Sequence, residues 1–254
     1  MDRVFNERTA LVTGASRGIG SATAIALADR GISRLILHYN SYQQGLERVV
    51  ASVRDAGART DIIQADLGCE SGVEAFLRAL QAAGPGVDIL VNNAGSLVKR
   101  AKLAEFTPEL FDRVMTLNVK SAWFIAQAVA PHMIERKSGI IVNVSSVAAR
   151  NGGGIGATIY AAAKAAVSTI TKGLAKELAP HGIRVNAVSP GTVDNHFHEQ
   201  FSTRQVLDGV VAATPAGTLG TNEEVADTIL FLCSDAARYI HGQTIEINGG
   251  MFMV

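Results

Sequence analysis

Residues 9–31 read "TALVTGASRGIGSATAIALADRG", and the fold is decided by how this stretch divides. Thr9 to Val12 form a short apolar run of strand character, and from Gly20 onward the residues follow a helical period. Between them, Gly14, Gly18 and Gly20 allow a tight turn and let backbone approach a bound group closely. A helix that starts at such a turn offers free N–H groups and the positive end of its dipole, which suits a pyrophosphate. A glycine triplet alone fits an empty strand–helix turn just as well. Its place after the first strand of a repeating strand–helix chain favours a dinucleotide loop. Gly14, Ser16, Arg17, Gly18, Ile19 and Gly20 are therefore the candidate phosphate contacts.

Working outward, similar apolar runs recur at "RLILHY" (34–39), "TDIIQAD" (60–66), "VDILVNNAG" (87–95), "GIIVNVSS" (139–146), "IRVNAVSPG" (183–191) and "TIEINGG" (244–250). They are nearly continuous rather than alternating, as in strands buried on both faces. Helical stretches such as "VEAFLRALQAA" and "NEEVADTILFLCS" separate them. Thr107-Pro108 reads as an N-cap with proline at the first helical position, and Thr221 with Glu224 as a capping box. The expectation is an α/β chain: one doubly wound Rossmann domain over 1–254, with a parallel sheet of seven strands. Ligands in such sheets sit at the carboxyl ends of the strands, here "TGASRGIG", "HYN", "AD", "NNAG", "VSS" and "SPGTVD".

Composition narrows the class. The chain has 254 residues, 48% of them hydrophobic and 18% charged, which allows a large core. Lys plus Arg balances Asp plus Glu at 23 each, which argues against a nucleic-acid or membrane surface. Cys69 and Cys233 lack any metal-type spacing and read as free thiols in a reducing compartment. The N-terminal stretch from Met1 has no apolar secretion-signal core, and no apolar run is long enough to span a bilayer. The expected setting is cytoplasmic.

The second strand ends "HYNS" without the carboxylate that usually binds a ribose 2′-hydroxyl. Arg17 lies in the phosphate loop and can pair with a 2′-phosphate. NADP(H) is expected ahead of NAD(H), with Tyr39 and Asn40 at the adenosine ribose. Asp66 can accept from the adenine amine with Leu67 against the ring, or it is simply a turn aspartate. Asn93, Ala94 and Gly95 are small enough to let backbone pass along the adenosine side.

"YAAAK" places Tyr160 and Lys164 at i and i+4, on one face of a helix. A phenol is a poor base at neutral pH, and an adjacent ammonium favours its phenolate. The pair suits acid–base work, and Ser145 and Ser146 in "VSS" offer hydroxyls to a carbonyl.

These motifs together resemble the short-chain dehydrogenase/reductase family. Thr13-Gly14 with Gly18 and Gly20, Asn92 to Gly95, Asn118, Ser146, Tyr160 with Lys164, and Pro190-Gly191 occur in the family's order between Thr9 and Gly250. The resemblance implies that Tyr160 exchanges a proton with the substrate oxygen and that Lys164 lowers the tyrosine pKa and holds the nicotinamide ribose. It implies that Ser146, rather than Ser145, steadies the carbonyl. Asn118 would hold a water linking Lys164 to solvent, and Tyr160 and Lys164 would also touch the cofactor. Pro190, Gly191 and Val193 would face the carboxamide, although Asn195 stands where the family usually has a threonine. The interval from Ser146 to Tyr160 is one residue longer than in the family. Tetramers are common there, and the apolar helices around "LFDRVMTLNVKSAWFIAQ" and the tail "INGGMFMV" agree with a homotetramer.

The substrate is a small carbonyl or alcohol compound. Ser146, Tyr160, Arg150, Gly153 and His196 are the candidate contacts, with 192–220 as a lid. Lys99, Arg100 and Arg150 read either as solvated charge or as a recognition site for an anion. His196 and His198 lack a third ligand, so no metal is expected. The overall pattern resembles bacterial 3-oxoacyl-acyl-carrier-protein reductases. The segments "NNAGSLVKR", "NGGGIGATIY" and "SPGTVDNHFH" are more similar to reductases of deoxy-keto uronates. A non-catalytic dinucleotide sensor is the alternative of another class; such relatives typically lose the Tyr–Lys pair that this chain keeps.

Overall fold

The sheet consists of β1 (Thr9–Val12), β2 (Arg34–Tyr39), β3 (Arg59–Gln64), β4 (Ile89–Asn92), β5 (Gly139–Val144), β6 (Ile183–Pro190) and β7 (Thr244–Ile247). The strands lie in the order β3-β2-β1-β4-β5-β6-β7, and every pairing is parallel. The computed structural model describes residues 4–84 and 86–253; Met1 to Arg3, Pro85 and Val254, the end of the apolar tail, lie outside the described residues.

The nearly continuous apolar runs arise because both faces of the sheet are covered. Ala10, Val12, Leu35, Leu37, Ile89 and Val91 face one core, packed under α1 (Gly18–Asp29), α2 (Gln43–Asp55) and α10 (Asn222–Cys233). Leu11, Ile36, Leu90 and Ile141 alternate onto the other face, beneath α3 (Glu70–Ala83), α5 (Ser121–Arg136) and α7 (Thr158–Leu178). Strand alternation thus persists, with the central strands covered on both sides and the edge strand β3 partly open, as at Ile62.

Helix starts follow the sequence signals. Thr107 Oγ1 accepts from Leu110 N at 3.2 Å and opens α4 (Pro108–Met115). Thr221 and Glu224 make both bonds of the capping box, at 3.2 and 2.7 Å. Between α4 and α5 the chain widens into a π-helical turn, Thr116–Lys120. After β6 the segment expected as a lid carries α8 (His196–Phe201) and α9 (Arg204–Ala213), closed at its base by a bridge between Val193 and Gly220. The short α6 (Ala148–Asn151) precedes the glycine-rich turn before α7. The connections reverse direction between β1 and β4, and the crevice beyond their carboxyl ends holds the site.

Candidate active site

The phosphate loop is fixed from inside. Gly14 and Gly18 have φ of +67° and +62°, which disfavours any side chain there. A Cβ on Gly20 would lie 2.3 Å from Gly14 O, so the turn and α1 close only on glycine. Asn93 Nδ2 donates to Thr13 O at 2.8 Å and Gly14 O at 3.2 Å, while Thr13 Oγ1 accepts from the backbone of Asn93 and Ala94 at 3.0 and 2.9 Å. The first N–H groups of α1 have no intrahelical acceptor, and no side chain caps them. This fits a pyrophosphate: open donors, a helix dipole and glycines where backbone must come close.

Arg17 extends over the Tyr42 ring, 5.4 Å from its centroid. Arg48 meets the same ring at 5.7 Å and donates to the phenol oxygen at 2.5 Å. Asn40, Ser41 and Tyr42 line the cleft beside them. Tyr39 does not. It is buried against α1 and α2, on the face shared by Leu35 and Leu37, so its expected role at the ribose is corrected. Asp66 and Leu67 reach the cleft, but Asp66 is also a turn aspartate: Oδ1 accepts from Gly68 N at 2.9 Å and Oδ2 from Arg113 at 2.8 Å. Burial raises its carboxyl, yet these bonds outweigh burial and hold it below its ordinary pKa.

Helix α7 brings Tyr160 and Lys164 together. Lys164 is 3% exposed, and its ammonium donates to Val144 O at 2.8 Å and sits 5.7 Å from the Tyr160 ring centroid. Asn118 lies in the π turn. Its Nδ2 donates to Ser96 O and Val114 O, both at 2.8 Å, and its Oδ1 accepts from Ser96 N at 3.2 Å. Such a turn frees a helix carbonyl and re-aims a side chain, as functional sites often require. A Cβ on Gly95 would fall 2.6 Å from Asn118 Oδ1 and 2.7 Å from Lys164 Nζ, so the glycine lets the two close over it.

The two serines divide their work. Ser145 Oγ is committed to Lys164 O at 2.9 Å and to Ser168 Oγ at 2.8 Å, inside the protein. Ser146 faces the cleft, as Tyr160 does, and accepts from Ala148 N at 3.2 Å. Burial pushes Tyr160 up to about 12, and the nearby Ser146 hydroxyl opposes the rise. The ring keeps an open edge toward the cleft, where water tempers that rise. Burial also pushes Lys164 down to about 8. In this geometry burial outweighs the lowering of Tyr160 that its lysine neighbour suggested in sequence.

The substrate half of the cavity, about 720 Å³ with the nucleotide half, runs under the lid. Asn195 is the N-cap of α8: its Oδ1 accepts from Phe197 N at 3.1 Å and its Nδ2 donates to Asn222 at 3.0 Å. Phe197 then covers Tyr160, with ring centroids 5.7 Å apart. The candidate substrate contacts His196 and Gly153 line the cavity, as do Pro190, Gly191 and Val193, the candidates for the carboxamide. Burial, then the Arg100 charge, lowers His198 to about 4, so it is neutral there.

Arg100 and Arg150 exchange roles. Arg150 Nε donates to Glu246 Oε1 of β7 at 2.8 Å, away from the cavity wall, so its assignment to the substrate is corrected. Arg100 lines the cavity, and its Nε and Nη1 donate to Phe201 O at 2.7 Å and Ile155 O at 2.9 Å. It straps the lid to the glycine-rich turn while Nη2 stays unused by these bonds. Phe197, Tyr42, Arg48 and His38 also belong to the site. Sequence placed His38 only within "HYN" at a strand's carboxyl end and gave it no role.

Comparison with known proteins agrees with this geometry. Residues 14–252 match the family model described as enoyl-(acyl carrier protein) reductase. The 3-oxoacyl-[acyl-carrier-protein] reductase of Staphylococcus aureus is 36% identical over 97% of this chain and 98% of its own length. The structure of a mutant of DEH reductase A1-R′ superposes with a TM-score of 0.89 at 33% identity, covering 100% of both chains. A gluconate 5-dehydrogenase from Burkholderia cenocepacia, in complex with NADP and tartrate, gives 0.87 at 32% identity over 98% of this chain and 96% of its own. The chain belongs to the short-chain dehydrogenase/reductase family. It is an NAD(P)-dependent oxidoreductase.

Proposed function

We propose that this oxidoreductase interconverts a carbonyl and a secondary alcohol with NADP(H), and that its substrate is an anionic keto acid of the sugar-acid type. The convergence of Ser146, Tyr160 and Lys164 on one cavity wall carries the catalytic half of this reading. A bound nicotinamide supplies or accepts the hydride. In reduction Tyr160 gives its proton to the substrate oxygen, and its raised pKa keeps that proton available at neutral pH. Ser146 donates to the same oxygen and steadies charge as it develops. The Lys164 ammonium stabilises the phenolate left behind and holds the nicotinamide ribose. Asn118 fixes the turn behind Lys164 through its bonds to Ser96 and Val114. Arg17, supported by Tyr42 and Arg48, favours the 2′-phosphate of NADP(H).

Arg100 supports the anionic substrate, since a guanidinium on the cavity wall suits a carboxylate held away from the reacting carbon. A second reading, a 3-oxoacyl thioester, draws on the relatives and on Val206, Leu207 and Val210, an apolar stripe along the same cavity. Exposed Phe111, Trp123, Phe231 and Met253 support association, and we assign a homotetramer whose contradiction would be a monomeric mass in solution scattering. No helix among the described residues is long and apolar enough to cross a membrane. The test is a panel of keto-sugar acids beside an acetoacetyl thioester, each with NADPH and NADH. Higher kcat/KM for a keto acid with NADPH is expected. Preference for the thioester would move the substrate assignment to the second reading, and preference for NADH would overturn the cofactor assignment.

A further inference from the structure

His38 is the penultimate residue of the run "RLILHY" in β2, where an aliphatic side chain would serve packing alone. The residue is 2% exposed, and its ring stands edge-on to Phe76 of α3, centroids 5.2 Å apart at 86°. Both ring nitrogens are engaged. Gly14 N lies 3.1 Å from Nδ1, and Ala65 O lies 3.0 Å from Nε2. A backbone N–H only donates and a carbonyl only accepts, so both bonds form only when the ring is neutral with its proton on Nε2. The backbone of the same residue adds a third tie, since Ala15 N donates to His38 O at 2.8 Å.

These contacts join the first turn of the phosphate loop to β2 and to the carboxyl end of β3, where Asp66 and Leu67 reach the cleft. Asn93 holds the carbonyl of Gly14, and His38 holds its N–H. The left-handed turn at Gly14 is thereby fixed from both sides.

We infer that His38 is a positioning residue for the nucleotide: as a neutral imidazole it sets the phosphate loop against the adenine-side wall, and its protonation releases the loop. A protonated ring would turn a donor toward the donor of Gly14. Asp66 is the titratable group that faces it, from the end of β3, and is itself paired with Arg113 of α4. Phe76 and Gly14 bring no charge. Burial lowers His38 to about 4, against the opposing pull of Ala65 O and Asp66, so the strut holds at neutral pH and fails only in acid.

This inference rests on the proposed phosphate loop, and the wild-type arm of the test checks that loop by itself. NADPH binding is followed by rapid-mixing fluorescence from about pH 8 down to about pH 3.5, through the value of about 4 at which His38 takes up its proton, with native fold monitored by circular dichroism. The comparison is wild type, His38→Asn and His38→Leu. Asparagine offers one acceptor and one donor without titrating. We expect His38→Asn to bind within about threefold of wild type at neutral pH and to lose less affinity in acid, and His38→Leu to bind at least about tenfold more weakly at neutral pH. The 2′-phosphate titrates in wild type and His38→Asn alike, and Asp66 differs between them only through the charge of His38, so the difference between those two curves reports His38. Equal acid limbs in wild type and His38→Asn overturn the inference, as does unchanged NADPH affinity in folded His38→Leu. If His38→Leu does not fold, the asparagine curve decides alone. Absence of NADPH binding by the wild type would instead overturn the phosphate-loop reading.

Discussion

Helices α7 and α8 face each other across the cleft, one presenting Tyr160 and the other Phe197. Helix α7 runs 21 residues, with Ala161, Ala163, Lys164, Val167, Ser168 and Thr171 all buried. Its catalytic lysine is tied to β5, and its backbone at Lys164 to Ser145. Helix α8 runs six residues with none buried, and it is held by an asparagine cap and by the Arg100 strap. The reaction centre is over-determined by packing, whereas the wall opposite hangs on a few polar contacts. Chemistry needs fixed geometry, and selection tolerates movement, so the two tasks fall to different materials.

Substitutions can break each side of that contrast separately. Tyr160→Phe removes the proton donor while leaving the ring under Phe197, and kcat for reduction should fall about 10²–10⁴-fold with NADPH affinity near wild type. An undiminished kcat would remove Tyr160 from the reaction. Phe197→Ala acts from the other side: KM should rise by about tenfold with kcat little changed, for loss of roughly 1–2 kcal/mol of apolar contact. A fall confined to kcat would show that the lid takes part in the chemistry.

The pH dependence belongs to α7. Lys164 carries its charge below about 8 in the folded protein, so the ammonium that stabilises the phenolate is present at neutral pH and lost as pH rises through that value. The reduction rate at saturating substrate should therefore decline on the alkaline side, and Lys164→Met should be low and flat over the same range. A wild-type profile level to about pH 10, the range of an ordinary lysine, would contradict the assignment. The smallest effect is outside the site. Thr221→Ala breaks the capping box of α10 and should cost about 1 kcal/mol in chemical denaturation, with kinetics unchanged.

What the sequence disclosed follows the same division. The strands, the glycine turn and the Tyr160–Lys164 face are local patterns, set by spacing within one element. Arg100 and Arg150 looked equivalent, because the partners that separate them are distant: Phe201 lies 101 positions from Arg100, and Glu246 lies 96 from Arg150. Tyr39 was misassigned although strand alternation with Leu35 and Leu37 places it under α1. The role of His38 could not be read, since it depends on Gly14 and Ala65, on two other strands' ends.

The contrast between a reacting helix and a selecting wall is tested most directly by Arg100→Met, assayed with a keto-sugar acid and with the methyl ester of the same acid. The loosened lid should cost both substrates alike, and loss of a charge-assisted pair worth about 1.5–3 kcal/mol should lower kcat/KM for the acid by about 10–100-fold relative to the ester. Equal losses on acid and ester would show that Arg100 only braces the lid, and no loss on either would remove the anion from the account.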